Sequence, residues 1–223
     1  MASCRFCGCS SWLFSLCPAG LCGNCEHLVS AELEQRARVL AESRRGFEDT
    51  RNAATKLDRL DLAVVQLEAL AVYERRGIST PVESAERRLR ETRRELDALV
   101  MRTAKEDLDR TMAGVRAEPD PERKARALSE FLLRLKDYAA RAGVKGPLPV
   151  LEKKVRGAVW RVRLNAALER ARRAEKGGPA AAARAYREAL TLLGAPEASG
   201  PVVVTQRLRV LEKLEMLDAG RLA

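Results

Sequence analysis

A chain of 223 residues with 32% charged and only 4% aromatic residues has the composition of long Ala-, Leu- and Arg-rich helices and not that of a sheet protein built from Val, Ile and Tyr. No stretch has the roughly 18 uncharged residues that a membrane-spanning helix needs, so a soluble, cytoplasmic all-α protein without membrane insertion is expected. The net charge of +10 lies in the C-terminal half: residues 28–118 carry 18 basic and 18 acidic side chains, whereas 119–223 carry 22 and 12.

All six cysteines fall between Cys4 and Cys25, and the single histidine, His27, follows at once. Disulfide scaffolds spread their cysteines, whereas a cluster of this kind suits a metal site in a reducing compartment. The apolar run Trp12-Leu13-Phe14 is too short for a signal peptide. Cys4-x-x-Cys7 and Cys22-x-x-Cys25 are two C-x-x-C pairs separated by fourteen residues, which together supply a tetrahedral set of four thiolates. Gly8 and Gly23 relieve the tight turns that bring each pair onto one ion. Zn2+ is the expected cofactor, because the spacing suits one ion. Cys9, Cys17 and His27 are the alternates. A second ion would need a carboxylate such as Glu26, so one ion is expected. Unused, Cys9 and Cys17 are small buried residues or redox-sensitive thiols.

The second pair leads into Glu26-His27-Leu28-Val29, the first turns of a helix. With its glycine-ended knuckle, a short hairpin carrying Trp12, Leu13 and Phe14, and a ligand pair at a helix N-terminus, the module resembles treble-clef and zinc-ribbon fingers over about the first 40 residues. The resemblance implies a metal but no particular partner, since such fingers bind DNA, RNA or proteins or cap a fold. A closed four-cysteine set leaves no open position for substrate.

From Leu28 onward apolar residues recur every three or four positions, and only Val202-Val203-Val204 departs toward a strand pattern. About seven antiparallel helices are expected, with breaks near Arg45-Gly46, Gly77 to Pro81, Glu118 to Pro121, Gly143 to Pro147, Gly177 to Pro179 and Gly194 to Pro201. Helices are expected to restart at Val82, Leu148 and Val202. The division is 1–27 for the cysteine module, 28–118 for a charge-balanced helical region and 119–223 for a basic, repeat-like one. Leu67, Leu70 and Tyr73 are echoed loosely by Leu132, Leu135 and Tyr138, and again by Tyr186, Leu190 and Leu192. Over 177–190, Gly177, Ala182, Tyr186 and Ala189 occupy the small and aromatic positions of a second helix that resembles a tetratricopeptide repeat. The helix before it departs from that pattern, with arginine at 170 and 173, so the resemblance implies close helix pairing and leaves a peptide groove open.

No glycine-rich phosphate loop, H-E-x-x-H or nucleophile elbow occurs, and the body contains no histidine, so no enzyme is expected. Between 145 and 176 ten basic residues stand against Glu152, Glu169 and Glu175. Leu151, Val155, Val159 and Val162 read as the buried stripe of this helix. Lys153, Arg156, Trp160, Arg163 and Arg170 then share a neighbouring face, with arginines seven positions and about 10.5 Å apart. That row suits successive phosphates, but Trp160 as a core residue flanked by solvated arginines is the favoured reading. The expected function is a non-enzymatic adaptor that binds another protein through finger and helices. A nucleic-acid-binding protein is the alternative and a thiol- or zinc-based redox regulator the third.

Overall fold

The computed structural model describes residues 3–10, 15–143 and 146–219. The described chain is an all-α array of seven α-helices: α1 (Gly23–Asp49), α2 (Ala53–Arg75), α3 (Ala85–Ala117), α4 (Pro121–Arg141), α5 (Leu148–Ala174), α6 (Pro179–Leu193) and α7 (Pro201–Asp218). No strand occurs among the described residues. Trp12, Leu13 and Phe14, the expected hairpin, lie outside them.

Most helix ends fall where glycine and proline chemistry places them. Pro179 and Pro201 open α6 and α7 directly after Gly178 and Gly200, whose φ of 109° and 101° lies in a region that L side chains rarely adopt. Val202 to Val204 form part of α7, so their β-branching yields to the proline start. The break expected at Arg45-Gly46 does not occur, and α1 runs through to Asp49. An interior glycine costs a helix only about 1 kcal/mol, and here its bareness has a use: a Cβ at position 46 would sit 2.9 Å from Arg59 Nε. Asn52 instead starts the next helix, its side chain accepting from Thr55 N at 3.1 Å. Helix α3 begins at Ala85 and not at Val82; Glu86 N donates to Glu74 Oε2 at 2.9 Å, which satisfies one of the free amides of its first turn.

The chain forms two compact units, Met1–Thr103 with Arg141–Val144, and Ala104–Ala140 with Lys145–Ala223. This contact boundary falls inside α3, whereas the change in charge balance comes after it. In the first unit α1 and α2 pack side by side, burying Val29, Leu33, Leu40, Ala63, Leu67, Leu70 and Tyr73 in one cluster that Leu21, Cys4 and Cys25 join. Ion pairs fasten the first part of α3, with Arg44 meeting Glu95 at 2.5 Å and Arg93 meeting Glu68.

The second unit has Phe131, Leu128 and Leu135 of α4 fully or nearly buried. Arg134 Nε donates at 2.8 Å to Asp107 of α3. Helices α5, α6 and α7 pack in sequence, and Ala171, Ala182 and Ala183 are buried in the cluster they share; residues this small let helix backbones lie close. Tyr186 reaches from α6 to donate to Glu175 Oε1 at 2.6 Å.

Burial, and then the carboxylate of Glu175, push the Tyr186 phenol up to about 12 from an ordinary 10.0. The folded state thus holds this proton more tightly than the unfolded state, a stabilisation complete below pH 10 that fades as the pH rises toward 12. Tyr186→Phe is expected to remove that share of the alkaline loss. Urea denaturation at pH 8 and pH 11 should show a smaller difference between the two pH values in the variant than in the wild type.

Candidate metal centre

The first C-x-x-C pair is folded by its own backbone. Cys4 N donates to Cys9 O at 3.0 Å and Gly8 N to Cys4 O at 2.9 Å, with Gly8 at a φ of 72° that favours glycine. A second loop faces it: Cys17 N donates to Leu21 O at 2.9 Å and Gly20 N to Cys17 O at 2.8 Å, while Arg5 N reaches Gly20 O at 2.9 Å. Cys22 is the N-cap residue of α1, and Cys25 sits in that helix's first turn, so one helix N-terminus carries both members of the second pair.

This brings the Sγ atoms of Cys4, Cys7, Cys22 and Cys25 all within 4.8 Å of one another. Cys7 and Cys22 are 3.9 Å apart, nearly twice the S–S length of a disulfide. A tetrahedral ion with bonds of about 2.3 Å to sulfur sets its ligands about 3.8 Å apart. The four cysteines can therefore hold a metal ion, and this geometry is compatible with a zinc-finger-like module. Cys4 and Cys25 are buried, Cys22 half-buried and Cys7 exposed.

Backbone N–H groups supply the field at the first sulfur, as expected for a thiolate knuckle. Cys22 N lies 3.3 Å from Cys4 Sγ. The N–H of Cys7, aided by those of Cys22 and Phe6 and opposed by burial, lowers the Cys4 thiol to about 6. Cys25 moves the other way, to about 12, through its hydrogen bond with the Cys22 side chain, burial and the other two sulfurs. Four sulfurs this close do not all ionise unless a cation shares them.

The module is docked through residues that cysteine spacing did not reveal. The guanidinium of Arg5 donates to Gly77 O, just past the C-terminus of α2, where a cation is favoured. Its path passes over Gly20, where a Cβ would lie 2.8 Å from Arg5 Cδ. Phe6 stacks on Tyr73 with centroids 6.0 Å apart, and the Arg76 guanidinium lies over the Phe6 ring at 5.9 Å. Tyr73 in turn donates to Glu32 Oε2 at 2.7 Å, and Arg36 Nε donates to Glu32 Oε1 at 2.8 Å. The only sequence signal for this docking was an arginine and an aromatic inside the first pair, which many fingers carry for other reasons.

The alternates lie apart from the four sulfurs. Cys9 is exposed and contributes its carbonyl to the knuckle, Cys17 is half-buried against the core of the first unit, and His27 is exposed on α1.

On α5 the five basic-face residues do not form one free row. Val155 and Val159 are buried as expected, but Leu151 and Val162 are only half-buried, and a second buried stripe of Leu164, Ala167 and Ala171 runs along the helix. Trp160 falls on that second stripe: it packs against the α5–α6–α7 core, and its Nε1 donates to Leu192 O at 2.7 Å. Arg156 pairs with Glu152 at 2.6 Å, and Arg170 with Glu188 at 2.7 Å and Glu122 at 3.4 Å. Lys153 and Arg163 are exposed. Among the described residues no helix is long and apolar enough to cross a membrane.

Fold and site together define an all-α protein with an N-terminal cluster of four cysteines. No family model, no curated protein and no solved structure matches the chain.

Replacing any one of Cys4, Cys7, Cys22 and Cys25 with serine is expected to lower metal affinity by at least about tenfold. Cys9→Ser, Cys17→Ser and His27→Ala should each leave one bound ion per chain at unchanged affinity. Competition titration against a chromogenic chelator, with bound metal counted by native mass spectrometry, distinguishes the two groups.

Proposed function

We propose that the chain is a non-enzymatic adaptor in which one Zn2+ ion, held by Cys4, Cys7, Cys22 and Cys25, fastens the N-terminal module to a helical array that binds another protein. The observation that carries this reading is the closure of the site. Four sulfurs within 4.8 Å of one another suffice for a tetrahedral shell, and two of them are buried in the same cluster as Val29, Leu33 and Tyr73. An ion so enclosed has no position for substrate and serves the fold. The short Cys7–Cys22 separation favours a single ion over an iron–sulfur cluster, whose several irons hold thiolates farther apart.

The nucleic-acid alternative gains less support. Its single indole is engaged by Leu192 O, and two of its three arginines are engaged by carboxylates, so a bound phosphate would have to displace those pairs. A protein partner asks for no such exchange.

X-ray absorption at the zinc edge should show four sulfur neighbours at about 2.3 Å; nitrogen in that shell would contradict the assigned ligands. Zinc-loaded, nuclease-treated protein should show no fluorescence-anisotropy response at physiological salt to generic single- or double-stranded DNA or RNA. It should retain a stoichiometric protein from a nuclease-treated lysate of its source cells. Nucleic-acid binding that survives physiological salt and collapses when Arg156, Arg163 and Arg170 become glutamate would replace the adaptor reading.

A further inference from the structure

Helix α7 carries two apolar stripes. Val210, Leu214 and Leu217, with Val203 beside them, are packed into the α5–α6–α7 core. Val204, Leu208 and Leu211 follow one another at i, i+4 and i+7 on an adjacent face and remain 59%, 62% and 38% exposed. Scattered exposed leucines need no explanation, but three in helical register on one helix form a continuous stripe.

The charges beside this stripe identify its occupant. Counting heptad positions, Val204 and Leu211 stand at d and Leu208 at a, which puts Arg207 at g and Glu212 at e. Both charged residues are exposed, and neither pairs with another side chain among the described residues. In a parallel two-stranded seam, g of one helix lies beside the e residue five positions further along its partner. Arg207 and Glu212 are five apart, so two copies related by a two-fold axis would form the pair twice. An antiparallel seam brings like flanks together and would set Arg207 toward Arg207 of the other copy. The side chains thus complement a second α7 in one direction only.

We propose that two copies of this chain associate through α7, side by side and parallel, with Val204, Leu208 and Leu211 in the seam and reciprocal Arg207–Glu212 ion pairs along its edges. The surface lies on the second unit and does not depend on the metal or on the adaptor reading. Glu215, at the next a position, ends the seam after three apolar residues per copy. Such a contact is far smaller than an obligate dimer interface, so the association is reversible and concentration-dependent.

Sedimentation equilibrium of the full zinc-loaded chain, from micromolar to millimolar concentration, tests this. A monomer–dimer equilibrium is expected. Leu208→Glu should weaken it by at least about tenfold, the usual effect of losing a central apolar contact, while circular dichroism stays unchanged because the side chain is exposed. Arg207→Glu and Glu212→Arg should each weaken it by facing like charges across the seam, and the double exchange should restore it. A chain that remains monomeric throughout overturns the proposal and leaves the stripe to a partner of different sequence. A dimer indifferent to Leu208→Glu overturns it too, as does a double exchange no stronger than the single ones.

Discussion

Four sulfurs held within 4.8 Å of one another are the constraint on which the first unit depends. Protons alone leave the cluster divided against itself, with one thiol driven toward ionisation by backbone N–H groups and another held protonated by its neighbours. A single cation would resolve that conflict, and in doing so it would close the loop between the two C-x-x-C pairs. Leu21, Cys4 and Cys25 lie in one cluster with Val29 and Leu33 of α1. Arg5 meets the end of α2 and Phe6 stacks on Tyr73. A module of about 25 residues has too little apolar surface to fold by burial alone. Here it borrows the core of a helix pair and supplies an ion site in return.

A polar device recurs through both units. Each of the three tyrosines stands beside a carboxylate from another element: Tyr73 bonds to Glu32, Tyr186 to Glu175, and Tyr138 has its phenol raised by burial and then by Asp107. In a protein so poor in aromatics, these rings do more than fill space. The ring buries apolar area while the hydroxyl meets an acceptor that would otherwise be partly desolvated. Two of the three carboxylates also meet an arginine, Arg36 at Glu32 and Arg134 at Asp107. The loose echo of Leu67, Leu70 and Tyr73 at Leu132, Leu135 and Tyr138 thus has a physical counterpart in this repeated tyrosine–carboxylate contact.

The all-helical class and the starts of α4, α5, α6 and α7 could be read closely because glycine and proline act locally. Pro179 and Pro201 impose their φ wherever they occur. Gly46 was misread because a glycine without a following proline is only mildly unfavourable in a helix, and what decides is the Arg59 side chain packed over it. The cluster of four cysteines was legible because two C-x-x-C pairs leave the chain little choice of geometry. Its docking was not, since Arg5 and Gly77 are 72 positions apart and no local pattern links them. On α5 a single buried stripe was expected, but the helix packs on two sides. Trp160 sits on the second side among charged neighbours, and its favoured reading as a core residue agrees with its packing and its bond to Leu192 O. On α7 no local pattern separates Val204, Leu208 and Leu211 from the packed stripe of Val210, Leu214 and Leu217.

Amide hydrogen exchange on the full chain, with zinc bound and after chelation, tests most directly that the ion ties the N-terminal module into the first unit. The account predicts that chelation removes protection from the amides of Cys4, Arg5, Gly8, Cys17, Gly20 and Glu26, whose bonds shape the site. Protection should also fall at Arg76 to Ile78, where Arg5 docks, while the amides of α5, α6 and α7 keep theirs. Unchanged protection in the module after complete removal of the metal would contradict it, since the loops would then be held by the helical core alone.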